Sequence, residues 1–188
     1  FSFFTYGDNS DIKLASENSL YEVHPIYSVT KYFKNKLFRI LSSLFVPFRI
    51  KNKVKNADIV YQNQLSGCWI PILIKKLYKK PLIIRTGYDT LDFARKDKKS
   101  FLIIFFYKIL TNFAVKNCDY FTVTSKNDLN RFNRNYPKYK QKFILRPNWV
   151  KLGPLNDFTN RHSNKLLAVG RLVNQKNFSF LISEFKNS

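Results

Sequence analysis

The chain has 188 residues, of which 45% are hydrophobic and 17% aromatic, and it carries 33 Lys and Arg against 12 Asp and Glu, a net charge of +21. This composition excludes a disordered chain, and no apolar run approaches the ~18 to 20 residues of a membrane-spanning helix. The charge favours anionic partners: nucleic acid, an anionic membrane face or phosphorylated substrates. It also fits a compositional bias, because Lys, Asn, Ile, Phe and Tyr are all abundant and the cations are spread along the chain. Met is absent and the sequence opens Phe1-Ser2-Phe3-Phe4, which reads as a piece cut from a longer protein.

Strand-like segments open the chain at Phe1–Gly7 and Tyr21–Tyr27. Lys34–Phe48 has the apolar spacing of a helix, with Pro47 near its end. Ala57–Asn63 reads as a strand and Gln64–Gly67 as a turn. Cys68–Lys80 follows as a helix that Ser66 could cap, with Pro71 tolerated in the first turn. Pro81–Asp89 is a strand that runs out into a polar turn. Ser100 could cap a long helix reaching about Lys116, whose Phe101–Phe106 run is expected to be buried. Cys118–Ser125 is the next strand, and Ser125 with Asp128 three residues on resembles a capping box for the helix after it. Lys142–Val150 is a strand broken at Pro147. Lys151–Asn164 is polar and reads as a linker. Leu166–Val169 is a short apolar strand ended by Gly170, and Phe178, Leu181, Ile182 and Phe185 mark one face of a final helix. Strands alternating with helices predict an α/β fold with a parallel sheet. The expected organisation is a Rossmann-like domain over 1–150, a linker over 151–164, and the first β-α unit of a second such domain over 165–188.

The motifs of several chemistries are missing. There is no G-x-G-x-x-G, no G-K-[ST], no G-x-S-x-G and no H-E-x-x-H. Cys68 and Cys118 stand beside apolar residues without ligand spacing, so they read as reduced, buried thiols and no metal site is expected. His24 and His162 lie far apart in sequence and read as structural or surface residues. One segment points to a ligand. In "KLLAVGRLVNQKNFSFLISEF", Lys165–Phe185, two cations, Arg171 and Lys176, occupy the turn between a strand and a helix. A helix start offers free N–H groups and a positive dipole end, and an Arg fork beside a Lys point charge suits phosphate. The alternative is a pair of solvated cations on a basic surface.

This segment resembles the start of the C-terminal domain of family 4 glycosyltransferases, which have the GT-B fold. The shared pattern is an apolar strand, V-G-R-L, a short turn with Q-K-N, then an amphipathic helix. "ADIVYQNQ", "KPLIIRTGYD", "CDYFTVTSKNDLNRF" and "KFILRPNWV" occur in the order and spacing of that family's N-terminal domain. The resemblance implies a retaining transfer of sugar from a nucleotide-sugar donor to a glycan or lipid-linked acceptor. It implies a cytoplasmic enzyme, free or at the cytoplasmic face of the membrane, with no cofactor and no metal at the diphosphate. Arg171 and Lys176 would bind the donor diphosphate. The family's downstream glutamate pair and upstream glycine loop do not occur in this sequence, so the chain alone is expected to be inactive. Where many members carry a His, this chain has Arg85, Thr86, Gly87, Tyr88 and Asp89. These five form a candidate acceptor loop or, alternatively, an ordinary turn, and Asn148 is a candidate cleft hinge.

Two other readings remain at this level. A nucleic-acid-binding module rests on charge and interleaved aromatics alone, with no recognition signature and no specific nucleic acid implied. Peripheral contact with an anionic membrane rests on Lys34–Lys55, a basic segment with Phe38, Leu41, Leu44, Phe45 and Phe48. The alternative for that segment is a helix packed on the core.

Overall fold

Short β-rich segments bounded by turns pair side by side to give a parallel sheet. The computed structural model describes residues 2–7, 10–15, 22–87, 89–149, 165–173 and 176–186. The chain divides into two units, Phe1–Trp149 and Val150–Ser188.

In the first unit the order is β1 (Ser2–Thr5), α1 (Ser10–Ala15), β2 (Glu22–Pro25), α2 (Ile26–Val29), α3 (Lys36–Ser43), α4 (Val46–Arg49), α5 (Lys51–Lys55) and β3 (Val60–Asn63). Then come α6 (Trp69–Tyr78), β4 (Leu82–Thr86), α7 (Thr90–Lys96), α8 (Phe101–Asn117), β5 (Tyr120–Val123), α9 (Lys126–Asn135), a 3₁₀ turn (Pro137–Lys142) and β6 (Phe143–Leu145). β1 and β2 form a parallel pair, and β3-β4-β5-β6 form a parallel four-stranded sheet in sequence order. The first unit is thus α/β with parallel strands, as the alternation predicts.

The register assigns the two faces of the larger sheet. Val60, Leu82, Ile84, Phe121, Val123 and Phe143 share one face, on which Ile72 of α6, Leu110, Ala114 and Val115 of α8, and Phe132 of α9 close the main core. Tyr61, Ile83, Tyr120, Arg85, Thr122 and Ile144 share the other face, where Tyr61, Tyr120 and Ile144 are exposed. A second cluster, Ile26, Val46, Ile50, Val54, Ile70 and Ile74, joins α2, α4 and α5 to the opposite side of α6, with Phe4 of β1 against it.

Several expectations change. The expected strand Tyr21–Tyr27 turns helical at Ile26, after Pro25. The expected helix Lys34–Phe48 is divided into two helices, α3 and α4. Pro47 lacks an N–H, and its ring would clash with the carbonyl of Ser43, four residues back, so α3 stops at Ser43 and α4 restarts at Val46. Ser66 does not cap α6; Cys68 holds the cap position without a side-chain hydrogen bond, while Pro71 does lie in the first turn. The Phe101–Phe106 run is exposed: the buried residues of α8 are Leu110, Thr111, Ala114 and Val115, all in its second half. Ser100 sits at the cap of α8 without capping through its side chain. Ser125 does cap α9, accepting from the Asp128 N–H at 3.1 Å.

In the second unit, α10 (Phe178–Lys186) forms as the spacing predicts. Leu166–Val169 is exposed and joins no strand among the described residues. A lone extended segment has no ladder to satisfy its backbone. The expected linker over 151–164, with His162, lies outside the described residues.

Candidate functional site

In a parallel sheet, ligands meet the loops that leave the carboxyl ends of the strands. Here those loops follow Asn63, Thr86, Val123 and Leu145. The Gln64 N–H donates to the Arg85 carbonyl at 2.9 Å, and the Arg146 N–H donates to the Val123 carbonyl at 2.8 Å, so the ladder holds the start of each loop in place. Gly67, in the first loop, has φ +78, and a Cβ there would fall 1.6 Å from the Tyr6 hydroxyl. Only glycine fits a left-handed backbone under that contact.

The candidate acceptor loop separates into distinct roles. Arg85, the residue before the last in β4, lies on the open face of the sheet, and its guanidinium donates to the Asn148 Oδ1 in the loop after β6. The structure therefore joins two residues that the sequence places in separate motifs. Thr86 is buried on the core face. Gly87 has room for a side chain, since a Cβ would meet nothing closer than the Gln64 Nε2 at 3.7 Å. Tyr88 lies outside the described residues.

Asp89 corrects the reading of a plain polar turn. It is the N-cap of α7, a helix the sequence reading does not contain, and its Oδ1 accepts from the Leu91 and Asp92 N–H groups at 3.0 and 3.2 Å. Its Oδ2 accepts from the Arg131 Nε at 3.1 Å and lies 2.9 Å from Nη2. Arg131 also pairs with Asp92 at 3.4 Å and with Asp128. Asp89 and Arg131 are 8% and 18% exposed in their side chains, so this carboxylate is committed inside the fold. Burial raises Tyr136 above its ordinary value and the Asp89 charge adds to this, with Arg95 opposing. Sequence reading misses Arg131; the Asp128–Arg131 spacing of one helical turn is the signal that could mark it.

Arg171 and Lys176 both lie exposed in the turn before α10. The turn is closed by Val173 N–H to the Arg171 carbonyl and Lys176 N–H to the Val173 carbonyl, each 2.9 Å. A Cβ at Gly170 would stand 3.4 Å from the Phe178 ring and 3.5 Å from the Lys176 side chain, so the glycine, the lysine stem and the first residue of α10 crowd together.

The cysteines and His24 are placed within the fold. Cys68 and Cys118 are free and buried in the main core, where burial pushes their thiols up to about 12 and about 11. His24 bonds Glu22 at 3.1 Å, and its ring lies tilted against that of Phe4 with the centroids 5.2 Å apart. Among the described residues no three His, Cys, Asp or Glu side chains gather as a metal site, and no helix is long and apolar enough to cross a membrane. Set against known proteins, the sequence matches no family model and no curated protein.

Proposed function

We propose that this chain belongs to a retaining, nucleotide-sugar-dependent glycosyltransferase of the GT-B kind, with a glycan or lipid-linked acceptor. The observation that carries the reading is the turn Gly170–Lys176. It presents two exposed cations, Arg171 and Lys176, at the amino end of a nine-residue helix. In sugar transfer the bond between the anomeric carbon and the diphosphate oxygen breaks while the acceptor oxygen bonds the same carbon. Negative charge then grows on the departing diphosphate. Fixed cations and free helix N–H groups stabilise that charge without a metal. In the first unit, the Arg85–Asn148 pair at the carboxyl edge is the proposed acceptor contact, and Asp89 is excluded from it by its cap and its arginine.

Titration with uridine, guanosine and adenosine diphosphates, followed by calorimetry, tests the reading. One of them should bind. Arg171→Ala and Lys176→Ala should each weaken binding by about 1.5 to 3 kcal/mol, the range for hydrogen bonds to charged groups, which is roughly 10- to 150-fold. Lys176→Arg should recover part of the loss, because a planar fork replaces a compact ammonium imperfectly. Lys165→Ala and Lys186→Ala should change little. Equal losses at all four positions would reduce the effect to diffuse charge, and failure of every diphosphate to bind would remove the reading.

A further inference from the structure

We propose that the carboxyl-edge end of the first unit docks on an anionic lipid bilayer surface through the overhanging half of α8, with α3 and α4 as a second contact. α8 has 17 residues, and its buried residues begin only at Leu110, with Tyr107 half-buried against the core one turn earlier. Along its first nine residues, about 13 Å of helix, Phe101 and Leu102 stand at 77% and 76% exposure and Phe105, Phe106 and Ile109 are about half exposed, while Ile104 and Tyr107 are half-buried. A helix that is apolar on both its core side and its outer side requires a second apolar medium.

Charge identifies that medium. Arg95, Lys96, Lys98 and Lys99 lead directly into the exposed run against one acidic residue, Asp97, and no Asp or Glu occurs from 98 to 118. The other exposed apolar set repeats the pattern. Leu37, Phe38, Leu41, Leu44, Phe45 and Phe48 are exposed. They are interleaved with Lys34, Lys36, Arg39, Arg49, Lys51 and Lys53, with no Asp or Glu from 23 to 57. A second copy of a chain carrying +21 would repel this surface, whereas an anionic bilayer offers hydrocarbon and opposite charge together.

The two sets face the same end of the sheet. α8 runs back to the start of β5, so its free half lies on the carboxyl side. α6 begins on that side after β3, and its Trp69 Nε1 donates to the Ser43 Oγ at the end of α3 at 2.7 Å. The structure corrects the expectation that Phe101–Phe106 is buried, whereas Lys34–Lys55 divides, with Val46, Ile50 and Val54 in the second cluster and Phe38, Phe45 and Phe48 exposed. The inference is independent of the transferase reading, because vesicle binding reports nothing about sugar transfer.

Co-flotation of the chain with phosphatidylcholine vesicles, with and without phosphatidylglycerol, tests it. The chain should float with the anionic vesicles, and less at high salt. The triple variant Phe101→Ser, Phe105→Ser, Phe106→Ser should lower the partition coefficient about tenfold or more, given the apolar area withdrawn from the interface. Lys98→Glu with Lys99→Glu leaves the apolar surface intact and guards against misfolding of the triple variant. It should lower binding to anionic vesicles only. The proposal is overturned if the chain stays at the bottom of the gradient, if it floats equally with neutral vesicles, or if both variants float like the parent. It is also overturned if sedimentation shows a dimer that the triple variant abolishes while no vesicle is bound.

Discussion

At the scale of single residues, the first unit turns on Arg131. Three carboxylates, Asp89, Asp92 and Asp128, converge on this one guanidinium, which is 18% exposed. The cation joins the start of α7 to the first turn of α9. Its removal would leave three like charges together with little solvent, so the cost lies in the carboxylates that stay behind more than in the bonds lost. Arg131→Met should lower stability by about 3 kcal/mol, as for a broken, largely buried ion pair, read from urea midpoints at neutral pH. Asp89→Ala should cost at least the ~1 kcal/mol of a lost N-cap, and the double variant should cost less than the sum of the two singles. Additive losses would show that the two side chains act independently. In sequence only the Asp128–Arg131 spacing hints at this cluster, because Asp89 stands two residues after Gly87 and reads as part of a turn. Its role as a cap depends on Leu91 and Ala94 finding the core, a tertiary fact.

At the scale of elements, the turn between α8 and β5 ties three elements together. The Asp119 Oδ2 accepts from the Leu82 N–H at 2.8 Å, the Asp119 N–H donates to the Leu82 carbonyl at 2.9 Å, and Lys75 of α6 pairs with Oδ1. Lys142 donates to the carbonyls of Val115, Lys116 and Cys118 at 3.2, 3.0 and 2.7 Å, which satisfies the open end of α8. Burial by itself would raise the Asp119 carboxyl, but the Lys75 bond, the Leu82 N–H and the charges of Lys75 and Lys142 together hold it below the ordinary value. A carboxyl lowered in the folded state stabilises the fold above its unfolded value of about 3.9 and loses that contribution as pH falls through the lower, folded value. Urea midpoints measured from pH 6 down to pH 2 should fall less steeply for Asp119→Asn than for the parent chain. Identical slopes would mean that the pair is screened by water, since Asp119 is 40% exposed. The four strands of the larger sheet and the capped α9 are legible in the sequence because apolar runs and a Ser–Asp box act locally, whereas Leu166–Val169 reads as a strand and pairs with none among the described residues. The division of Lys34–Phe48 into α3 and α4 is half legible: Pro47 marks a helix end, but its clash falls four residues upstream and moves the break to Ser43. The exposure of α8 was not legible, because hydrophobicity reports that a surface avoids water and not which neighbour covers it.

At the scale of the whole molecule, the two units differ in how their backbone is secured. In the first, Leu82, Ile84, Phe121 and Val123 are fully buried in a sheet with helices packed on its core face. In the second, no residue of α10 is buried, and Leu167 and Leu172 are 87% and 90% exposed. A nine-residue helix falls below the ~12 to 15 residues at which isolated helices become even marginal, and Leu166–Val169 has no strand beside it among the described residues. Protection from hydrogen exchange follows the free energy needed to open each bond, from near zero in unsupported segments to the global value in core strands. Amides of β4 and β5 should therefore exchange at least about a hundredfold more slowly than those of Leu166–Val173 and α10, in line with a local difference of ~3 kcal/mol or more. Mass-spectrometric exchange at neutral pH reads both regions in one experiment. The contrast should persist when Arg171 and Lys176 are changed to Ala, because these side chains are exposed and the argument rests on unburied backbone. Adding the nucleoside diphosphate that binds should slow exchange around Arg171–Lys176 while β4 and β5 stay unchanged. Equal protection of both units in the unliganded chain would mean that the second unit's apolar residues are covered in solution, and its exposed leucines would then have to be read as an interface.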